Sequence, residues 1–371
     1  MHRAKHPTKK TVLLVTDFPI QNEVDNDMAW SGASHLSLLS DLAKVGISQR
    51  DIHTTYLSYD RQDKDSYDWG TELKKKRTTP ENEGWELIPH QKDLYYSPKL
   101  KGQVEGLLGE IVKVEPKVII IAGKWSYFFL TGLATQAQTQ NSGSSQKPMG
   151  GLAKHRASLE PLHSCWELSE TLVFPILPAV TKQRSPDKIP VMKWDYAKVG
   201  DIYKELVEGT PVSSYLEQDV EHIIGTDYSI VCNWFNVLLF KLAKGEVLVS
   251  VDIETRYSST IDCIGFAYEE KTGLCIPFST LAHPNFWDED EEVVIYRLMA
   301  RVLGHKNCKV TGQNYSYDSA FIRKFWLIES NAEVDTMILH HVLYNSMQKD
   351  LAFLASVYCR QYRYWKDMQH F

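Results

Sequence analysis

In VLVSVDIETRYSS (247–259) an apolar run ends at two carboxylates one residue apart, Asp252 and Glu254. Successive side chains of a β-strand point to opposite faces, so residues two apart share a face and these acids project together. Two like charges that close repel each other. The pair needs a shared proton or a cation, and Mg²⁺ and Mn²⁺ are the usual partners of carboxylate clusters. The plainer alternative is an exposed strand end whose acids face water.

The surrounding sequence alternates strand and helix patterns. TVLLVTDF (11–18) reads as a buried strand, LSLLSDLAKVG (36–46) as an amphipathic helix closed by Gly46, and DIHTTYLSY (51–59) as a second strand. EGLLGEIVKVEP (105–116) reads as a helix, KVIIIAG (117–123) as a parallel strand, TLVFPILPAV (171–180) as a further strand and WDYAKVGDIYKELVEG (194–209) as a closing helix. Two polar stretches, 60–95 and 135–148, interrupt this first domain and are expected as mobile surface loops. Residues 210–245 are expected to connect to a second domain, opened by the strand that carries Asp252 and Glu254.

In that second domain, IDCIGFAY (261–268) and LCIPFS (274–279) flank a turn at EEKTG and predict a hairpin. DEDEEVVIYRLMARVLG (288–304) predicts a helix with acids in its first turn and Gly304 at its stop. KVTGQNYSYDSAFIRKF (309–325) then predicts a short strand, a turn at Gly312 and a helix beginning near Asp318.

Length, charge and cysteine usage narrow the function classes. The 371 residues suffice for two or three domains. The formal net charge of −6 gives no overall attraction for a polyanion, so nucleic-acid contact must rest on bound metal or on local basic patches. Candidate patches are the amino-terminal MHRAKHPTKK, Lys74-Lys75-Lys76-Arg77, and Lys99 with Lys101, each of which alone reads more readily as a solvated face. The six cysteines are scattered without a C-x-x-C, which argues for reduced thiols in an intracellular compartment and against an iron–sulfur cluster. No apolar stretch approaches the ~20 residues needed to span a bilayer, and no secretion signal opens the chain, so no membrane partner is expected.

VDIET, followed by GQNYSYDSAFI, VDTMILHHVLY (334–344) and KDLAFLASVY (349–358), resembles the 3′–5′ proofreading exonuclease domain of family A DNA polymerases, within the DEDD superfamily. The resemblance covers about residues 246–365. It implies a ribonuclease H-like α/β fold, a two-metal Mg²⁺ or Mn²⁺ site and a single-stranded DNA 3′ end as substrate. Asp252, Glu254 and Asp318 would be the catalytic metal ligands, and Asn314 would sit near the terminal nucleotide or cap the turn. The family's later Y-x-x-x-D motif is absent, since Asp367 follows Tyr364 by three residues. Asp335 reads as a helix N-cap and Asp350 lies near the start of another helix, both structural rather than substitutes, and His340 and His341 read as packing or surface residues. The resemblance therefore implies an amino-terminal portion of a polymerase, weak or absent activity from this chain alone, and a polymerase polypeptide that completes the site.

TVLLVTDFPIQNEVDNDMAW (11–30), EPKVIIIAGKWSYFFLTG (115–132) and FPILPAVTK (174–182) follow the order of the uracil-DNA glycosylase superfamily. That resemblance implies a three-layer α/β/α domain over 1–208, a connecting segment over 209–245 and an exonuclease domain over 246–371. Large tailed phages join such domains ahead of a polymerase, which implies a cytoplasmic location in a bacterial host. The glycosylase chemistry is eroded: Thr16-Asp17-Phe18-Pro19-Ile20 lacks both glycines of the family loop, Tyr56 stands where some members have an Asn, and Leu177-Pro178-Ala179 lacks the catalytic His. Trp30 matches the aromatic that stacks on a flipped base, or else packs in the core. A non-catalytic DNA- or partner-binding module is expected. The two function classes are thus a metal-dependent exonuclease and an inactive binding fragment.

Overall fold

The computed structural model describes residues 7–59, 72–75, 84–133, 151–168, 171–209, 220–257, 259–281, 284–330, 332–360 and 362–364. The loop expected over 135–148, most of the polar stretch after residue 59, the side chains of the Lys74–Arg77 patch, the first six residues and Asp367 lie outside the described residues. Contacts divide the chain into two units: Met1–Glu217 with Ala355–Phe371, and Gln218–Leu354. Among the described residues no helix is long and apolar enough to cross a membrane.

In the first unit, β1 (Val12–Thr16), β2 (Ile52–Tyr56), β3 (Val118–Ile121), β4 (Glu160–Pro161) and β5 (Leu172–Pro175) form a sheet in the order β2-β1-β3-β5-β4. All pairings are parallel except the short edge strand β4 on β5. Alternation along β1 sends Val12 and Leu14 into one core, shared with helices α1 (Ala33–Lys44) and α4 (Ile189–Glu208), and Leu13 and Val15 into another, shared with α2 (Pro98–Val114) and α3 (Lys124–Thr131). A parallel sheet with both faces covered by helices is the three-layer α/β/α arrangement.

Two helices begin earlier than their periodicity indicates. Ser97 caps α2 through the Leu100 amide, with Pro98 in the first turn, and Pro190 opens α4 in the same way.

The second unit is a six-stranded mixed sheet. Its strands are β6 (Glu221–Ile224), β7 (Val247–Arg256), β8 (Thr260–Glu269), β9 (Thr272–Pro277), β10 (Cys308–Gly312) and β11 (Ala332–Asp335), in the order β11-β10-β7-β8-β9-β6. The hairpin after β7 forms as its turn residues indicate, and helix α6 (Glu289–Leu303) follows it, capped by Asp288.

The boundaries differ from the sequence reading at two places. Residues 218–245 belong to the second unit rather than to a connector: β6 extends the sheet along β9, and helix α5 (Tyr228–Lys244) buries Val231, Trp234, Phe235 and Leu238 against Ile264 and Phe266. That i, i+3, i+4, i+7 stripe is too apolar to be left in water. At the other end, residues from Ala355 onward group with the first unit. Tyr362 donates its hydroxyl to the Lys154 carbonyl at 2.6 Å, Arg363 pairs with buried Glu160, and the Tyr364 ring lies 5.3 Å from His155. Tyr364 is therefore spent on packing.

Candidate active site

Strand β7 runs through the middle of the second sheet and alternates strictly. Val249, Val251 and Ile253 are buried, while Leu248, Ser250, Asp252 and Glu254 are exposed on the opposite face. Asp252 and Glu254 thus share a face, opposite Gly265 and Cys263 of β8. A bulge after Glu254 shifts the register, so that pairing resumes at Thr255↔Ile261.

Asp318 reaches this strand from helix α7 (Tyr315–Trp326), which starts three residues earlier than the sequence indicates. Strand β10 pairs with β7 only as far as Ser250↔Thr311 and ends at Gly312. Past that point the Ile253 amide lacks a ladder partner. Asp318 takes its place: Oδ1 accepts the Ile253 N–H at 2.9 Å, bridging 65 residues of sequence. The amide so bound lies between the two acids of the D-x-E pair.

The turn that aims α7 depends on Asn314 and Asp335. Asn314 adopts the left-handed conformation (φ +56°), and its side chain makes no capping bond to the helix; Ser316 Oγ approaches its Oδ1 at 3.4 Å. Asp335 is the N-cap of α8 (Thr336–Leu343), accepting from Met337 and Ile338, and it also accepts the amides of Asn314 and Tyr315 at 3.1 and 2.8 Å. Four amide donors on one carboxylate fix α7 against β11. Asp350 likewise caps the helix Leu351–Tyr358 through the Phe353 amide. His340 is buried beside Phe353 and Tyr344, and His341 is exposed.

The electrostatics follow from this packing. Burial pushes Asp318 up to about 6; the Ile253 N–H opposes the rise, and the charges of Asp252 and Asp335 add to it. Asp252 keeps surface exposure, yet its partial loss of solvent also raises it. The two carboxylates therefore resist being ionised together. Among the described residues no three His, Cys, Asp or Glu side chains enclose a metal site by themselves. Asp252 and Asp318 do offer the hard oxygen donors of an open Mg²⁺-type site, in which one or two carboxylates act with waters and substrate phosphates.

A feature not identified from the sequence lies beside them. Tyr317, Phe321 and Phe325 line one stripe of α7, and the Tyr317 hydroxyl lies 2.9 Å from Thr255 Oγ1. The four-residue aromatic spacing in YSYDSAFIRKF was its signal.

In the first unit, Trp30 is only 5% exposed and stacks on Tyr56, with ring centroids 5.7 Å apart. Its backbone is left-handed (φ +59°) and its N–H donates to the Tyr56 hydroxyl at 2.7 Å. Of the two readings for Trp30, the structure gives core packing. Asp17 is occupied at the start of α3, accepting the amides of Trp125 and Ser126 and the Ser126 hydroxyl.

No family model and no curated protein matches the sequence. Similar solved structures include a Trypanosoma brucei RNase D complexed with RNA U12, at 10% identity and TM-score 0.32, covering 41% of this chain and 50% of that one. Escherichia coli RNase D, an exoribonuclease involved in structured RNA processing, matches at 14% identity and TM-score 0.29 over 38% and 33% of the two chains. The EXD2 exonuclease domain soaked in Mg matches at 12% and 0.26 over 37% and 69%. The matched region thus spans half of the trypanosome chain and a third of the E. coli one. Likeness at this level carries no function from those proteins to this one.

Proposed function

We propose that residues 218–354 form a divalent-cation-dependent 3′–5′ exonuclease domain of the DEDD type, acting on single-stranded DNA 3′ ends in the setting of a family A polymerase. One observation carries the reading. The Asp318 carboxylate sits on the amide between Asp252 and Glu254, so acids far apart in sequence meet at one strand end. Asp252, Glu254 and Asp318 would hold Mg²⁺ or Mn²⁺ together with the substrate phosphate. Such ions supply an activated water and counter-charge for the departing 3′ oxygen. Without a cation, Asp318 keeps its proton to about pH 6. Asn314, at the left-handed turn that opens the helix of Asp318, would sit near the terminal nucleotide.

The fourth acid is assigned to a separate polymerase polypeptide. Support comes from α8, where Ile338, Leu339, Val342 and Leu343 are all more than half exposed. A helix so apolar and so uncovered is a candidate surface for a partner chain. In the first unit, buried Trp30 and the amide-bound Asp17 support a glycosylase-like domain that no longer excises bases and instead binds DNA or a replication partner. A phage-polymerase setting would put the chain in the cytoplasm of a bacterial host.

The test is cleavage of a 5′-labelled single-stranded oligonucleotide in Mg²⁺ or Mn²⁺. Because the fourth acid is assigned to another chain, the expected result is weak stepwise shortening from the 3′ end, reduced below detection by Asp252→Ala and by Asp318→Asn. A second reading, an inactive binding module, is favoured by the lack of a three-ligand cluster among the described residues. It prevails if both variants and the unaltered chain leave the oligonucleotide intact.

A further inference from the structure

The aromatic stripe of α7 runs outward from the acids. Tyr317 precedes Asp318, and its hydroxyl meets Thr255, the residue after Glu254. From there Phe321 follows at a centroid distance of 4.6 Å and Phe325 at a further 5.8 Å, each ring tilted 34° to the last. Residues four apart on a helix stack along one face, which makes the three rings a continuous strip. Tyr317 and Phe325 remain 39% and 38% exposed.

A cation lies along the outer half of the strip. Lys324 Nζ sits 4.9 Å from the Phe325 centroid and 5.9 Å from that of Phe321. Exposed aromatic faces beside a cation match the chemistry of single-stranded nucleic acid, whose bases stack while its backbone carries the charge. An apolar peptide would leave that cation unused.

We propose that Tyr317, Phe321 and Phe325 form a stacking platform for the bases of a single-stranded nucleic acid, with Lys324 on its phosphates. The proposal rests on the exonuclease reading only for where the 3′ end lies; binding to the platform requires neither hydrolysis nor metal.

The test is fluorescence anisotropy of a 5′-fluorescein thymidine oligonucleotide of about twelve residues, titrated with the full chain in EDTA. Phe325→Ala is expected to weaken binding roughly 10-fold, and Phe325→Trp to retain it. Lys324→Glu weakens binding and flattens its salt dependence by about one phosphate contact. An oligonucleotide with abasic sites binds the unaltered chain less tightly, and that difference shrinks in Phe325→Ala. Equal affinity of the unaltered chain, Phe325→Ala and Lys324→Glu would overturn the proposal, as would absence of binding by the unaltered chain. Failure of the exonuclease reading appears separately, as oligonucleotide that is bound by the platform but not cut in Mg²⁺ or Mn²⁺.

Discussion

Two buried acids, one in each unit, end with opposite electrostatics. Glu23 is fully buried and Asp318 is 4% exposed. Burial pushes both upward. At Glu23 the push is outweighed: His35 binds Oε1 at 2.7 Å, the amides of Gly32 and Ile20 donate at 3.0 Å, and Tyr56 donates its hydroxyl at 2.9 Å, leaving the acid below its ordinary value. At Asp318 the only donor from outside its own residue, among the described residues, is the Ile253 amide, with two carboxylates as neighbours. The difference teaches that donors and neighbouring charges, more than depth, decide whether a buried acid is a structural anchor or a strained group open to a cation.

The comparison breaks if Glu23 is not an anchor. Glu23→Ala leaves four donors, including His35, without their acceptor, and is expected to cost the first unit about 3–5 kcal/mol. Hydrogen exchange of the β1 amides, with those of β7 as the internal reference, measures this. Unchanged protection of β1 would refute the anchor role.

A pH series sharpens it, because the signs are opposite. Asp318 lies above its usual 3.8, so its stabilising contribution is complete below about pH 4 and is lost as pH rises through about 6, an effect of about 3 kcal/mol on the second unit. Glu23 lies below its usual 4.5, so its contribution is present above that pH and fades as pH falls through its lowered folded value. In EDTA, acidification from pH 7 to pH 5 should therefore protect β7 while leaving Glu23's contribution to β1 intact. Asp318→Asn, which keeps an acceptor for the Ile253 amide, should abolish the β7 response; a slope that survives it would assign the titration to another group.

Smaller effects follow. Asp335→Ala removes an N-cap and two further amide contacts, and is expected to cost about 1–2 kcal/mol by denaturant unfolding, with Asp335→Asn recovering part of it. Least of all, Asp252→Asn relieves the charge beside Asp318 and should raise stability in EDTA by less than about 1 kcal/mol, a gain reversed when Mg²⁺ is added. A loss of stability in EDTA would contradict the repulsion.

Much of this was legible in the residues themselves. Alternation in VLVSVDIET fixed which side chains of β7 are buried and put Asp252 and Glu254 on one face, because a strand has no other way to arrange them. Apolar runs such as VIII of β3 specified a sheet covered on both sides, and turn residues specified the hairpin. The stripe of α5 was readable in the same terms, but nothing local shows which sheet such a helix covers, and the segment passed for a connector. Nor did the sequence show that Tyr364 packs on His155, since that contact joins distant parts of the chain.

Local pattern determines periodicity and facing because both are set by backbone geometry within a few residues. Only the tertiary structure decided that β10 stops pairing with β7 after Thr311, leaving the Ile253 amide for Asp318, and that Asp335 is spent on four amides. It likewise decided that Trp30 lies against Tyr56. Each of these depends on which polar groups remain unpaired once the sheet and helices have closed, and that remainder is a property of the assembled fold.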